Sequence, residues 1–243
     1  MGDLLDAYSR RARLQPAFLM LVPLLITVGA WTPGIFTWGA GLIGLGTTCG
    51  IIVWLAHLAR ERGRAAEEVL FKSWGGSPTT VWLRHQSSKL DAVTKARYFA
   101  FFKKHIPKWR APTEEDESKS LADADGYYAS AVRWLLEYTR DRKRFRMVFD
   151  ENVSYGFRRN LYGLKRWGIT LAALCLVINA AFLVGSFNGF ANFLPGRGLV
   201  SFGVCVTTIL AWSSVVRPQW VRDAAEAYAK ALLACCETVT KKE

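Results

Sequence analysis

Three stretches of this 243-residue chain lack charge altogether: no Lys, Arg, Asp or Glu occurs from Leu14 to Ala59, from Trp167 to Gly196, or from Gly198 to Val216. Runs of that length exclude an ordinary water-soluble domain. They match instead the ~30 Å hydrocarbon core of a bilayer, which about 20 helical residues cross. The first stretch suffices for two crossings and the other two for one each. The fold expected is an all-α integral membrane protein with four transmembrane helices in two hairpins, residues 16–59 and 167–216. A leader (1–15), a basic helical domain between the hairpins (60–166) and a C-terminal helix (217–243) lie outside the bilayer.

Histidine and cysteine are also scarce, at three and five. There is no His-Glu-x-x-His, no Cys/His ligand spacing, no Walker loop and no Gly-x-Ser-x-Gly, so nothing sets a nucleophile beside a base. Neither catalysis, nor a metal, nor a cofactor is expected. The odd cysteine count, with Cys49, Cys175 and Cys205 inside spans and Cys235 and Cys236 in the tail, excludes a disulfide framework. Asp3 and Asp6, two prolines in the first apolar run and the want of a small-x-small cleavage site argue against a signal peptide. "MGDLLD" lacks the Ser or Thr of a myristoylation signal.

The turns between paired spans, "WTPGIFTW" and "SFNGFANFLPGRG", are nearly free of charge and rich in Gly, Pro, Asn and aromatics. Basic residues crowd the opposite ends: Arg10, Arg11 and Arg13; Arg60, Arg62 and Arg64; Lys165 and Arg166; Arg217 and Arg222. The positive-inside bias places both termini and the middle domain in the cytoplasm.

Most of the formal charge of +12 sits between Arg60 and Arg166. The second span is expected to continue as helix through "RERGRAAEEVLFKSW", and "GGSP" to stop it, with Ser77 as N-cap and Pro78 opening the next helix. Leu90, Val93, Ala100 and Phe101 form one apolar stripe. Ile106–Ser120, with two prolines and four successive acids, reads as a loop. A helix beginning near Asp123 carries Tyr127, Ala131, Trp134, Leu135, Tyr138, Phe145 and Phe149 at three-and-four spacing. Trp74, Trp82, Trp109 and Trp134 supply much of the core of this domain. In the tail, Val221, Ala225, Tyr228, Leu232, Cys235 and Val239 form a heptad-like seam, which suits either coiled-coil pairing or folding back on the chain's own helical domain.

Gly39, Gly41 and Gly44 match the dinucleotide fingerprint by letter, but inside an uncharged span where no strand precedes them and no pyrophosphate has access. Small residues there, including Gly44, Gly46 and Gly50, suit close helix packing. Thr47, Thr48, Asn179, Thr207 and Thr208 are polar but uncharged. A proton-coupled carrier, which buries ionisable groups, is therefore disfavoured, whereas a pore lined by small, hydroxyl and amide groups fits. Four spans per chain are few for a pore, so a homo-oligomer is expected. Arg60, Arg62, Arg64, Lys165 and Arg166 would then ring its mouth.

The stretch "FDENVSYGFRRNLYGLKRWG" places Arg158, Arg159, Lys165 and Arg166 among aromatics, just after Arg142, Lys143, Arg144 and Arg146. Three readings stay open: anchoring to lipid headgroups, charge-balanced packing, and recognition of a phosphate-rich ligand. Anchoring suits Lys165, Arg166 and Trp167, but Arg142–Arg146 stand about 30 Å of helix away from the apolar run. Arginines interleaved with Tyr, Phe and Trp are suited to phosphate clamping and base stacking. Asn152, Tyr155 and Asn160 would add hydrogen bonds to such a ligand.

With this layout, and with the stretches "WGGSPTTVWLR" and "ENVSYGFRRNLYGLK", the chain resembles the small four-span membrane effectors of bacterial anti-phage defence, of the CBASS, Pycsar and Hailong kind. The resemblance is one of architecture and assigns no residue individually. It implies a homo-oligomeric channel, a tetramer, in the bacterial inner membrane. That channel would be opened by a nucleotide or short oligonucleotide that a partner nucleotidyltransferase makes, and would depolarise the membrane. The alternative is a non-conducting membrane adaptor whose basic face recruits an acidic partner.

Overall fold

A computed structural model describes residues 7–32, 38–188 and 195–240, without the side chains of 38–49, 52 and 238–240. The described residues contain helices and turns and no strand. The helices are α1 (Ala7–Trp31), α2 (Trp38–Trp74), α3 (Pro78–Leu83), α4 (Ala92–His105), α5 (Glu114–Lys119), α6 (Leu121–Tyr138), α7 (Arg146–Gly163), α8 (Lys165–Phe187), α9 (Pro195–Ser214) and α10 (Pro218–Thr240). Three of them, α1, α8 and α9, are long and apolar enough to cross a bilayer. Helix satisfies every backbone group within one segment, which chargeless sequence in lipid requires. α2 runs unbroken for 37 residues, about 55 Å, through the expected "RERGRAAEEVLFKSW". The Gly39–Gly44 segment therefore lies in continuous helix, without the strand-to-helix turn a dinucleotide needs.

The chain divides into two compact units, Met1–Glu67 with Gly156–Val221, and Glu68–Tyr155 with Arg222–Glu243. In the first unit α1, α8 and α9 pack around a buried polar network. The Trp31 indole N–H donates to Asn179 Oδ1 at 2.7 Å, while Asn179 Nδ2 donates to Thr27 Oγ1 at 3.0 Å and to the Cys175 carbonyl at 2.8 Å. Thr27 Oγ1 also donates to the Pro23 carbonyl at 2.7 Å and lies 3.1 Å from Ser201 Oγ. Asn179, at 0 % exposure, is thus a neutral clasp between three helices.

Glycine sets the approach of these helices. A Cβ on Gly168 would meet the Trp212 ring at 2.5 Å, and one on Gly198 would strike the Trp31 ring and Leu183. The Trp31 ring stacks on Phe182 at 5.0 Å. Apolar side chains such as Leu174, Val177, Val200 and Leu210 face outward, as they do on helices solvated by lipid.

In the second unit the sequence-read caps form. Ser77 accepts from the Thr80 amide and Pro78 opens α3, while Asp91 caps α4. Ile106–Ser120, expected as a loop, contains α5. Thr113 and Asp116 close a reciprocal capping box, and the acids fall in the first turn, where the helix dipole favours negative charge. Ser120 caps α6, which starts at Leu121, and the buried face is Ala124, Tyr128, Ala131, Val132 and Leu135. Tyr127 is 38 % exposed and Tyr128 fully buried, so the expected stripe is displaced at its first position. In α4 the core takes Tyr98, Phe101 and Phe102, whereas Val93 is exposed. Trp82 and Trp109 are buried, Trp134 is partly so, and the face of α10 carrying Ala231, Leu232, Leu233, Cys235 and Cys236 joins the same core. The seam of the tail is therefore spent within the chain over these residues.

Charge is buried or half-buried here with partners. Arg84 forms a two-pronged pair with Asp125, Nε to Oδ1 at 2.9 Å and Nη2 to Oδ2 at 2.6 Å. Glu117 Oε1 accepts from the His85 amide at 2.9 Å and the Tyr128 hydroxyl at 2.8 Å. Lys95 Nζ donates to the carbonyls of Arg84, His85 and Ser87, closing the chain just past α3.

Candidate anion-binding sites

The basic residues expected to hold a ligand divide between the two units. In the second unit, Asp141–Phe145 is a tight turn between α6 and α7. Asp141 Oδ1 accepts from the amides of Lys143 at 2.9 Å and Arg144 at 3.3 Å, a local bond that favours turn over helix. Arg142, Lys143 and Arg144 consequently stand exposed. Rings form a floor for them: the Arg142 guanidinium lies 5.0 Å from the Phe149 centroid, and that of Arg144 lies 5.2 Å from Phe145 and 5.8 Å from Tyr138. Arg146 pairs with Asp150 at 3.6 Å across an exposed helix face, an interaction worth roughly 0–1 kcal/mol. Guanidinium groups held over rings lose less freedom when they bind, and their planar forks suit phosphate oxygens.

Other expected ligand groups are engaged internally. Asn152 is half-buried, and Tyr155 is buried with its ring stacked on Tyr228 at 6.2 Å and 9°. Tyr155 therefore contributes its ring to packing. In the first unit, Arg158 donates to the Trp220 carbonyl at 3.0 Å and covers its ring at 5.0 Å. Arg159 Nη1 lies 3.1 Å from both carboxylate oxygens of Glu67. Asn160, at 0 % exposure, donates to the Ala12 carbonyl at 2.6 Å and accepts from Arg159 Nε at 3.3 Å. Its amide is a structural tie, which corrects its assignment as a ligand contact.

The expected mouth residues separate likewise. Lys165 Nζ donates to the Val216 carbonyl at 2.7 Å, closing the C-terminal end of α9 where cations are favoured. Arg62 lies over the Trp167 ring at 5.4 Å. Arg64 and Arg166 are exposed and Arg60 is half-buried. These positions follow from a close crossing: a Cβ on Gly163 would meet the Arg62 carbonyl at 2.5 Å, and one on Gly63 would strike Asn160.

Of the packing residues read from sequence, Gly44, Gly46, Thr47 and Thr48 lie in α2, but their side-chain surroundings fall outside the described residues. Gly50 is exposed, with nothing within 4 Å of its Cβ position. Thr207 is exposed and returns its hydroxyl to the Gly203 carbonyl at 2.8 Å; Thr208 is half-buried. Both border a shallow groove of about 440 Å³ between α1 and α9, floored by Gly203 and Val204.

Titration shifts in the second unit are consistent with packing. Burial pushes the Cys236 thiol up, away from the thiolate a nucleophile needs, and raises the Tyr98 phenol to about 12. A hydrogen bond from Arg110 lowers Asp116 to about 2. A polar cleft of about 670 Å³ opens beside that pair, bordered by Lys119, Ser120 and Tyr127.

The described residues are helical without strands, and three apolar helices of membrane length among them suggest membrane association. No protein-family model, curated protein or solved structure matches the chain.

Proposed function

We propose that this chain is one subunit of a homo-oligomeric membrane channel, a tetramer, opened by a nucleotide or short oligonucleotide. The apolar half of α2 is the fourth span, and the termini and helical domain face the cytoplasm. Ion passage and not catalysis is the function, and a nucleotidyltransferase is the source of the signal. The observation that carries this reading is the turn Arg142–Arg146, with its exposed guanidinium groups on an aromatic floor, in a chain with three membrane-length apolar helices among its described residues. A ligand moves a closed-to-open equilibrium only through its difference in affinity for the two states. An exposed cationic turn at the end of α7 gives that difference a lever.

The test is binding of a fluorescent oligodeoxynucleotide to full-length protein in uncharged detergent across a salt series. Wild type should weaken steeply with salt. Replacing Arg142, Lys143, Arg144 and Arg146 with Gln should flatten the log–log slope by about 3, since each phosphate contact on a single strand contributes ~0.7. An unchanged slope would return the turn to the adaptor reading or to a solvated face.

A further inference from the structure

Four arginines from three separate segments gather in the first unit near Glu67. Arg60, Arg64 and Glu67 lie at i, i+4 and i+7, on one face of α2. Arg159 comes from α7 and bonds both oxygens of Glu67. Arg13 comes from the start of α1, half-buried, with its guanidinium 5.5 Å from the Tyr8 ring. Arg13 adjoins Ala12, whose carbonyl is bound by Asn160, the residue next to Arg159.

The backbone holds this convergence in place. Arg10–Leu14 is a π-helical turn, in which Ala12 is turned fully inward and its carbonyl is bound by Asn160 Nδ2 at 2.6 Å. Such single-turn widenings recur at functional sites. On α7, a Cβ on Gly156 would meet the Tyr8 hydroxyl at 2.7 Å and Ala12 Cβ at 3.1 Å. On α2, Gly63 abuts Asn160. The three segments are therefore in contact through backbone and glycine, and the arginines cannot separate by sliding the helices apart. Of these guanidinium groups that of Arg159 pairs with Glu67, and the other three add positive charge to the same region.

We propose that Arg13, Arg60, Arg64 and Arg159 form a binding site for a phosphate group at the charged ends of the apolar helices. The planar forks of arginine match phosphate oxygens in pairs. The same chemistry arrives from two sources: the headgroup of an anionic lipid, favoured by proximity to the apolar helices, or a soluble phosphate compound. The site stands on these residues alone and does not rest on the oligonucleotide reading of Arg142–Arg146.

The experiment follows thermal melting of the full-length protein in uncharged detergent by tryptophan fluorescence. Three additions are compared: phosphatidylglycerol, phosphatidylcholine and inorganic pyrophosphate. Wild type should melt several degrees higher with phosphatidylglycerol or with pyrophosphate, and unchanged with phosphatidylcholine. The arm that shifts identifies the source. Arg64→Gln, at an exposed position, should melt no lower than wild type without anion, because repulsion is relieved, and should lose most of the shift. Arg64→Lys should keep most of it, and Arg142→Gln should keep all of it. Should Arg64→Gln fail to fold, Arg60→Gln gives the same comparison. A wild type insensitive to both anions, or a shift of equal size in Arg64→Gln and Arg60→Gln, would overturn the site.

Discussion

The apolar helices α1, α8 and α9 and the helices α3–α6 hold polar groups by different chemistry. Around α1, α8 and α9 every partner in the buried network is neutral: an indole, an amide and two hydroxyls. Among α3–α6 charged groups take part, with a half-buried Arg84–Asp125 pair, buried Glu117 under Tyr128, and buried Lys95 on three carbonyls. The reason is the solvent each competes with. Lipid offers no hydrophobic force between apolar helices, so close shape and neutral hydrogen bonds must hold them. Water does supply that force, and it also solvates the rims of ion pairs, so an aromatic core can carry charge at its edge.

The contrast is most sharply broken at glycine. Gly163→Leu would drive a side chain into the Arg62 carbonyl 2.5 Å away, and backbone cannot yield as a flexible side chain can. A loss of about 3 kcal/mol or more, seen as collapse of folded yield in detergent, is the expected outcome. Gly203→Ala, with nothing within 4 Å, should stay within about 0.5 kcal/mol of wild type. Equal effects of the two would mean that shape does not hold the first unit.

Next in size is Glu117→Ala, which leaves the His85 amide and Tyr128 hydroxyl without their common acceptor. Chemical denaturation should show a loss of about 3 kcal/mol, with Glu117→Gln losing less. The neutral network should respond more weakly. Asn179→Leu removes the acceptor of the Trp31 indole N–H and one of the hydrogen bonds of Thr27, at a cost of about 1–2 kcal/mol, because the separated helices in lipid find other partners. A larger loss for Asn179→Leu than for Glu117→Ala would reverse the comparison.

The smallest effect is a titration. Asp116, held at about 2 by Arg110 and by the Thr113 amide, has a folded pKa below its unfolded value near ~3.9. Its contribution is present above the unfolded value and fades as pH falls through about 2. Melting curves between pH 5 and pH 2 should lose that component in Asp116→Asn. An identical acid slope would leave the capping box without a share in acid stability.

Sequence alone reached what depends on periodicity and on single-residue chemistry. The chargeless runs anticipated α1, α8 and α9; Ser77-Pro78 anticipated the start of α3; the uninterrupted helical pattern anticipated α2. What escaped depends on which neighbour arrives. Tyr127 and Tyr128 are chemically alike, and only the approach of Glu117 decides which is buried. Asn160 and Asn179 read as ligand and pore groups because an amide in a basic or apolar stretch gives no sign of its partner. Those partners, Ala12 and Trp31, lie far away in the sequence. Arg13 was visible only as a flank of the first span. Its company with Arg60, Arg64 and Arg159 emerges from the π-helical turn and the glycine contacts.

Ion flux tests the proposed function most directly. Full-length protein in liposomes loaded with a potential-sensitive dye should pass little current alone. It should depolarise the vesicles on addition of a short oligodeoxynucleotide, and lose most of that response when Arg142, Lys143, Arg144 and Arg146 are replaced with Gln. Oligonucleotide binding with no change in flux, in protein shown to be inserted and oligomeric, would contradict the channel.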